Sequence, residues 1–141
     1  MSGCVRRKRL RLREYDYSAN GAYFITICSH DRRALFVGEA EADVESELSG
    51  IATRFSGATV DEHVVMTDHI HVILVLSDCR STIPRIIQAF KSLATARLRK
   101  RGIVGRIWQR GYYDRIVRNE MELMALREYI RDNPLAEEIG G

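Results

Sequence analysis

Two histidines separated by one residue, His69 and His71, are the side chains of this sequence that best fit metal chemistry. They flank Ile70 at the start of the apolar run HIHVILVL, which is too short and too β-branched for a helix and predicts a strand over 69–76. Side chains two apart on a strand share a face, with Cα atoms about 6.5–7 Å apart, so both imidazoles can converge on one ion. Buried imidazoles also need polar partners or a ligand. The pattern predicts a candidate metal site, while a structural role for either histidine fits the same spacing.

A nucleophile and a further metal ligand would have to come from another element. The last predicted helix offers Tyr129 and Asn133, which lie one turn apart and so share a helix face. The spacing alone favours Tyr129 as a core residue over a nucleophile, because apolar residues accompany it on the same helix. Tyr112 and Tyr113 compete for any tyrosine role, since one of them must lie on each face of a strand. The residues by themselves leave the nucleophile undecided.

Positive charge is unevenly distributed along the chain and consists almost entirely of arginine. The 141 residues include 22 Lys and Arg against 19 Asp and Glu, a net charge of +3, and only three of the cations are lysines. Residues 39–62 contain seven acids and one cation, whereas residues 80–118 contain eleven cations and one acid. The planar guanidinium suits phosphate, and such clustering predicts a polyanion-binding surface with the acids placed elsewhere. An acidic membrane or an acidic protein is the alternative partner.

The candidate nucleic-acid contacts are cations and aromatic residues in two basic segments. Cations attract phosphates, and aromatic rings offer stacking platforms to unstacked bases. One segment is the basic start of the chain, and the other runs along and beyond the second predicted main helix into a loop over 101–111. The candidates are Arg6, Arg7, Lys8 and Arg9 in the first segment, and Lys91, Arg97, Arg99, Lys100, Arg101, Arg106, Trp108, Arg110 and Tyr112 in the second. Trp108 fits equally well as a hydrophobic lid on the core.

A mixed α+β fold must position these residues. β-Branched runs predict the strands, helical spacing of apolar residues predicts the helices, and Thr82, Pro84, Asn119 and Pro134 mark helix boundaries. The predicted elements are strands over 23–28, 58–66, 69–76 and 112–118 and helices over 40–55, from Ser81 or Thr82 through Leu98, and over 120–132. The order β-α-β-β-α-β plus a C-terminal helix is that of the ferredoxin-like fold. It predicts an antiparallel four-stranded sheet with the first and third strands central and two helices on one face.

Length and composition predict one domain over residues 1–141, with residues 1–13 as a basic arm that can be flexible. No apolar run is long enough to span a membrane, and the basic start lacks the apolar segment of a signal peptide. None of the three cysteines lies in a CxxC motif, so a cysteine-based zinc site is not expected. We therefore expect a cytoplasmic protein without a membrane partner.

Four short motifs follow one another along most of the chain. They are HIH at 69–71, FKS at 90–92, WQRGYYD at 108–114 and YIRDNP at 129–134. The ordered set is far more specific than any one motif, and it resembles the REP-associated tyrosine transposases of the single-tyrosine HUH (insertion-sequence-200-like) superfamily. The resemblance implies a ferredoxin-like fold and a transposase that recognises hairpin DNA. It also implies that single strands are cleaved and rejoined through a 5′-phosphotyrosine intermediate.

The resemblance further implies roles for single residues. His69 and His71 would ligate a divalent ion, Mg²⁺ or Mn²⁺, Asn133 would complete the metal site, and Tyr129 would be the nucleophile. Thr67 stands where the family often has proline, which changes the stiffness of the turn but removes no ligand. Relatives include monomers and dimers, and we expect a homodimer because paired strand transfer needs two nucleophiles. Two other functions fit the sequence: a domesticated hairpin DNA- or RNA-binding protein without cleavage activity, and a metal-binding domain without a nucleic-acid role.

Overall fold

The computed structural model describes residues 20–140, with side chains described through residue 133. Within that range the strands are β1 (Gly21–Cys28), β2 (Ala58–Val65), β3 (His69–Leu76) and β4 (Tyr113–Val117). The helices are α1 (Gly38–Ser49), α2 (Ile51–Arg54), α3 (Ile83–Lys100) and α4 (Glu120–Gly140), and a 3₁₀ turn over His30–Arg32 follows β1. None of the helices in the described part of the chain has an apolar stretch that could span a bilayer. The basic segment 1–13 lies outside the described residues.

The strands form one antiparallel sheet in the order β2-β3-β1-β4. The predicted α+β, ferredoxin-like architecture is confirmed, and β1 and β3 are central as expected. Both central strands are apolar runs because both faces of this part of the sheet are covered. Their register places Thr26 opposite His71 and Cys28 opposite His69. The two histidines therefore lie on a central strand, beside the end of β1.

One face of the sheet packs against α1 and α3. Alternate residues of the central strands point into this core, because side chains along a strand alternate between faces. The fully buried strand residues are Tyr23, Ile25 and Ile27 of β1 and Ile70, Val72 and Leu74 of β3. They meet Val44 and Leu48 of α1 and Phe90, Ala94 and Leu98 of α3. α3 begins as predicted, with the Thr82 hydroxyl accepting a hydrogen bond from the Arg85 N–H and Pro84 in the first turn.

The opposite face of the sheet carries α4 and the other set of alternating side chains. Phe24 of β1 and Ile73 of β3 pack with Ile130 of α4 in a second, smaller cluster. Strand alternation places His69 and His71 on this same face. α4 and the histidines therefore share one side of the sheet, which brings the C-terminal helix within reach of the candidate metal ligands.

Some predicted boundaries differ from the structure. The helix predicted over 40–55 is two helices, since α1 ends at Ser49 and α2 begins at Ile51, and the intervening Gly50 is a poor helix former. The prediction that the last helix ends before Pro134 was wrong, because α4 continues to Gly140. A proline removes one N–H from the hydrogen-bond ladder and crowds the carbonyl group one turn earlier, which can bend a helix without ending it.

Candidate active site and nucleic-acid interface

His69 and His71 extend from β3 to the same side of the sheet, with ring centroids 4.8 Å apart. His71 is 7% exposed and stacks on the ring of Phe24, with centroids 5.4 Å apart. His69 is partly buried at the first position of the strand. The structure thus brings together the pair that the HxH spacing predicted to converge.

Each imidazole is oriented by an oxygen atom on its Nδ1 side. Nδ1 of His69 donates to Oδ1 of Asp68 (2.7 Å), and Oδ2 of Asp68 accepts a hydrogen bond from Nε of Arg32 (3.1 Å). Nδ1 of His71 is hydrogen-bonded to the hydroxyl of Thr26 (2.9 Å) on the neighbouring strand. These contacts leave Nε2 of both rings for a ligand.

The surroundings fix the charge of two groups in this network. Burial, and after it the nearby charges of His69 and Arg32, together lower the pKa of His71 to about 4. His71 is therefore neutral near pH 7 and has a lone pair to offer. Burial acts to raise the pKa of Asp68, but hydrogen bonds from His69 and Arg32 outweigh it, and the pKa of this carboxyl lies below its ordinary value. Asp68 is thus ionised and a strong acceptor for His69.

Tyr129 of α4 faces the histidine pair. Its ring centroid lies 5.4 Å from that of His71 and 6.2 Å from that of Phe24, and the residue is 52% exposed. The neighbouring Ile130, 1% exposed, occupies the core position on this helix. The structure therefore places Tyr129 at the candidate site and not in the core, so the core role that the helical spacing alone favoured was wrong.

Asn133 lies one turn after Tyr129, and its side-chain amide nitrogen donates to the Tyr129 carbonyl oxygen (2.7 Å). Oδ1 of Asn133 is left as an acceptor or ligand. Among the described residues no group of three or more His, Cys, Asp or Glu is arranged to hold a metal ion. The two imidazoles, whose Nε2 atoms are free and whose rings are already oriented through Nδ1, are nevertheless donors that suit a divalent ion.

The two tyrosines at the start of β4 lie on opposite faces of the sheet. Tyr112 is 7% exposed and belongs to the main core beneath α1 and α3. Tyr113 pairs with Thr26 across the strands and lines a pocket that Tyr129 also lines. The structure thus leaves Tyr113, and not Tyr112, as a neighbour of the candidate nucleophile.

Acidic residues of α1 form ion pairs with the basic end of α3. Nε of Arg97 donates to Oε2 of Glu47 (2.7 Å), and Nε of Arg101 donates to Oδ2 of Asp43 (2.7 Å). Nη1 of Arg101 also donates to Oε1 of Glu39 (2.7 Å). Asp43 and Glu47 are each 5% exposed. The expectation that the acids lie away from the basic segment was wrong, because α1 and α3 pack side by side and Arg97 and Arg101 neutralise those acids.

Three cations hold the loop before β4 through hydrogen bonds to its backbone carbonyl groups. Arg33, Lys91 and Arg99 each donate to two backbone carbonyl oxygens of residues 103–111, which we call the clamped loop. The acceptors, at 2.7–3.2 Å, are Val104 and Arg106 for Arg33, Gln109 and Gly111 for Lys91, and Ile103 and Gly105 for Arg99. Burial lowers the pKa of Lys91 to about 8. Sequence reasoning grouped Lys91 and Arg99 with the phosphate contacts, whereas the structure shows both supporting a loop.

Tyr112 is buried, and Trp108 is partly buried with its ring packed against the core. Nε1 of Trp108 donates to the Thr95 hydroxyl (2.9 Å), and its ring lies 5.3 Å from Phe36 and 5.6 Å from Phe90 between centroids. Trp108 is therefore the hydrophobic lid that was one of its two expected roles.

The remaining candidate cations of the second basic segment are Lys100, Arg106 and Arg110. All three are exposed, and their side chains have no ion-pair partner in the described part of the chain. Their charge is therefore available to phosphates. Arg6, Arg7, Lys8 and Arg9 lie outside the described residues.

The sequence matches one family model and is similar to two known proteins. A family model described as IS200-like transposase matches residues 17–133. A protein of Haemophilus influenzae without an assigned function is 29% identical over an alignment of 164 residues. The alignment covers 95% of this chain and 91% of that protein. A second H. influenzae protein, provisionally named a REP-associated tyrosine transposase, is 24% identical over 130 residues, covering 85% of this chain and 73% of its own length.

Solved structures share the fold. A REP-associated tyrosine transposase bound to a REP hairpin aligns with a TM-score of 0.74 at 20% identity, over 90% of this chain and 73% of that one. A 1.90 Å crystal structure from Deinococcus radiodurans, provisionally described as a transposase, aligns with a TM-score of 0.60 at 22% identity, over 86% of this chain and 95% of that one. Both alignments support the four-stranded sheet with its helices as the common architecture.

Proposed function

Because the chain belongs to the IS200-like transposase family, as its four motifs predicted, we propose that it cleaves and rejoins single-stranded DNA with Tyr129 as the nucleophile. The observation that carries this proposal is the approach of Tyr129 to His71, with ring centroids 5.4 Å apart. A half-exposed phenol beside two oriented imidazoles suits transesterification, since the attacking oxygen and the phosphate must meet in one place.

The proposed reaction exchanges one phosphodiester for another. The Tyr129 hydroxyl oxygen attacks the phosphorus atom, loses its proton and forms the phosphorus–oxygen bond of a 5′-phosphotyrosine. The bond from phosphorus to the 3′ oxygen breaks, and that oxygen takes up a proton to become a free 3′-hydroxyl. A 3′-hydroxyl of another strand reverses the step and joins new ends. The energy of the phosphodiester is kept in the phosphotyrosine, so the exchange needs no ATP.

His69 and His71 would hold Mg²⁺ or Mn²⁺ through their Nε2 atoms, and Oδ1 of Asn133 would complete the protein ligands. When bound, such an ion offsets the negative charge that develops on phosphate oxygens. The contribution of this chain is orientation: Asp68 and Thr26 fix the two rings through Nδ1, and His71 is kept neutral by burial. The Thr26 hydroxyl on β1 and the Asp68 carboxylate thus orient the two rings and leave their Nε2 atoms free.

We propose hairpin DNA as the partner, because a protein of the same fold is bound to a REP hairpin. The clamped loop lies beside the strand end that carries His69: the Gln109 N–H donates to the Cys28 carbonyl (2.9 Å), and the His30 N–H donates to that of Ile107 (2.8 Å). Cys28 in turn pairs with His69. Phosphates bound by exposed cations of the loop therefore lie on a path that leads to the histidine pair.

We also propose that the chain acts as one domain and as a cytoplasmic homodimer, with Arg6, Arg7, Lys8 and Arg9 in an arm that contacts DNA. Tyr129 faces the histidines of its own chain, so each copy supplies one nucleophile and one pair of ligands. Two copies would supply the two nucleophiles that exchange between two strands requires.

A covalent-trapping assay tests the proposal. The full chain is incubated with Mn²⁺ and end-labelled single-stranded DNA that contains a hairpin, and the products are separated on a denaturing gel. We expect a protein–DNA adduct that disappears in Tyr129→Phe. The matched variant Tyr113→Phe removes the hydroxyl of the neighbouring tyrosine and should still form the adduct.

Two results would overturn the assignment. If the adduct is lost in Tyr113→Phe and retained in Tyr129→Phe, the nucleophile is Tyr113 and the assignment of Tyr129 is wrong. Salt-sensitive DNA retention without any adduct in the wild-type protein would instead identify a binding protein that lacks cleavage activity.

A further inference from the structure

A pocket of about 410 Å³ extends from the candidate active site along the same face of the sheet. Phe24 and Tyr113 contribute aromatic rings from β1 and β4, and Leu126 contributes an apolar wall from α4. His71 and Tyr129 line the same pocket, so it is continuous with the reacting groups. Its volume lies within the range of small-ligand sites, and the proposed histidine chemistry leaves most of its lining without a role.

An ion pair between Arg115 and Glu122 supplies the charged part of the lining. Nη2 of Arg115 donates to Oε2 of Glu122, and Oε1 of Glu122 accepts the backbone N–H of Arg118 (2.8 Å). The Asn119 side chain caps α4 by accepting the N–H of Glu122 (2.8 Å). Glu122 is thereby anchored in the first turn of the helix and fixes the guanidinium of Arg115 at the pocket. The pair carries no net charge, and a guanidinium has five N–H donors, more than Glu122 can accept.

This lining favours a flat, uncharged ligand with a hydrogen-bonding edge. A phosphate group would have to compete with Glu122 for Arg115 and would lie against apolar side chains. A flat ring can pack against the aromatic lining and accept hydrogen bonds from the remaining N–H groups of Arg115. An unstacked nucleobase has this combination of an aromatic face and polar edge.

We infer that the pocket binds one unstacked base of single-stranded DNA, from a nucleotide adjacent to the phosphate that Tyr129 attacks. The inference rests on the proposed function, which supplies the DNA strand, and it adds a base-binding site to the phosphate contacts. Phe24 and Tyr113 provide the stacking surfaces, and Arg115 reads the edge of the base. A pocket continuous with Tyr129 also fixes the register of the strand, so base binding selects which phosphate is cleaved.

A fluorescence experiment tests the inference independently of cleavage. Tyr129→Phe binds the hairpin DNA without consuming it, and 2-aminopurine replaces one nucleotide at a time in the single-stranded flank. We expect a fluorescence change that singles out one position. Removal of the base at that position should weaken binding by roughly 10-fold, the scale of one base–aromatic stacking contact.

Three variants connect the fluorescence signal to the pocket. Ala125 is exposed on the helix and lines the pocket, so Ala125→Trp in the Tyr129→Phe background should fill it and abolish the position-specific change. Met124→Trp, at the adjacent exposed position outside the lining, should preserve it. Arg115→Gln should keep the fluorescence change but reduce discrimination between bases at that position.

The outcomes separate this inference from the proposed function. Covalent adducts in the wild-type protein without a position-specific signal would overturn the pocket assignment and leave Tyr129 as the nucleophile. A signal that Ala125→Trp removes, in a protein that forms no adduct, would support the pocket and reject cleavage. A signal that survives Ala125→Trp would place the base elsewhere and overturn the inference.

Discussion

His69 and His71 are oriented through the same ring atom by partners of different strength. The carboxylate of Asp68 holds His69 and is itself held by Arg32, whereas His71 depends on the neutral hydroxyl of Thr26. Hydrogen bonds to charged groups contribute more than neutral ones. The orientation of His71 is therefore the more sensitive of the two, and burial of its ring means that a lost partner cannot be replaced by bulk water.

Thr26→Val should weaken metal binding while preserving the shape of the side chain. We expect the affinity for Mn²⁺, measured by titration calorimetry, to fall by about 10–100-fold, the usual effect of removing a partner that orients a ligand. Thr59→Val on the edge strand β2 makes the same chemical change at an exposed position away from the site. Equal Mn²⁺ affinity in Thr26→Val and Thr59→Val would show that Thr26 does not orient a metal ligand.

The histidine pair could be predicted from sequence, but its supporting residues could not. HxH on a strand fixes a shared face by alternation alone. Thr26 becomes a partner of His71 only through the register between β1 and β3, which is set by contacts distant in the chain. A polar residue within the apolar strand YFITIC was the available signal for Thr26, and adjacency to the HxH motif was the signal for Asp68.

At the scale of elements, α1 and α3 are joined by charge as well as by apolar packing. The strand and helix order followed from hydrophobic periodicity, so the sheet and its central strands could be predicted. The pairing of acidic α1 with basic α3 could not, because a count of charges along the chain contains no information about which faces of two helices meet. Asp43 and Glu47 are nearly buried, and their arginine partners make that burial tolerable.

Arg101→Gln should destabilise the fold in a pH-dependent way. The hydrogen bond and charge of Arg101 hold the pKa of Asp43 below its ordinary value of 3.8, although burial acts in the opposite direction. A carboxyl whose pKa is lowered on folding stabilises the folded state at pH values above its ordinary pKa. This contribution is lost as the pH falls through the folded-state pKa. We expect the melting temperature of Arg101→Gln to lie several degrees below that of the wild type near neutral pH. The difference should narrow below about pH 4.

Lys100→Gln is the matched control for this prediction, because Lys100 is the adjacent cation and its side chain has no carboxylate partner in the described residues. Its melting temperature should stay close to that of the wild type throughout. A deficit in Arg101→Gln that is as large at about pH 3 as near neutrality would show that the ion pair with Asp43 is not its cause.

At the scale of the whole molecule, eight cations of the described residues, seven of them within 91–110, divide into three classes. Arg97 and Arg101 neutralise α1, Arg33, Lys91 and Arg99 hold the clamped loop, and Lys100, Arg106 and Arg110 are exposed without an ion pair in the described part of the chain. The exposed class adjoins a loop that is attached to the strand end beside His69. A net charge of +3 therefore conceals exposed positive charge on and beside a loop that is hydrogen-bonded to the end of β1.

The salt dependence of DNA binding distinguishes the exposed cations from the paired ones. Each phosphate contact releases a bound counterion, so Arg110→Gln should reduce the slope of log affinity against log salt by about one. Arg97→Gln removes the same formal charge, but the guanidinium of Arg97 already pairs with Glu47 and Asp43. Its slope should therefore stay near that of the wild type, even where the variant is less stable. Equal slope changes in the two variants, measured by fluorescence anisotropy over a salt series, would mean that DNA displaces the acids of α1, and the phosphate path would then run over α1 and α3.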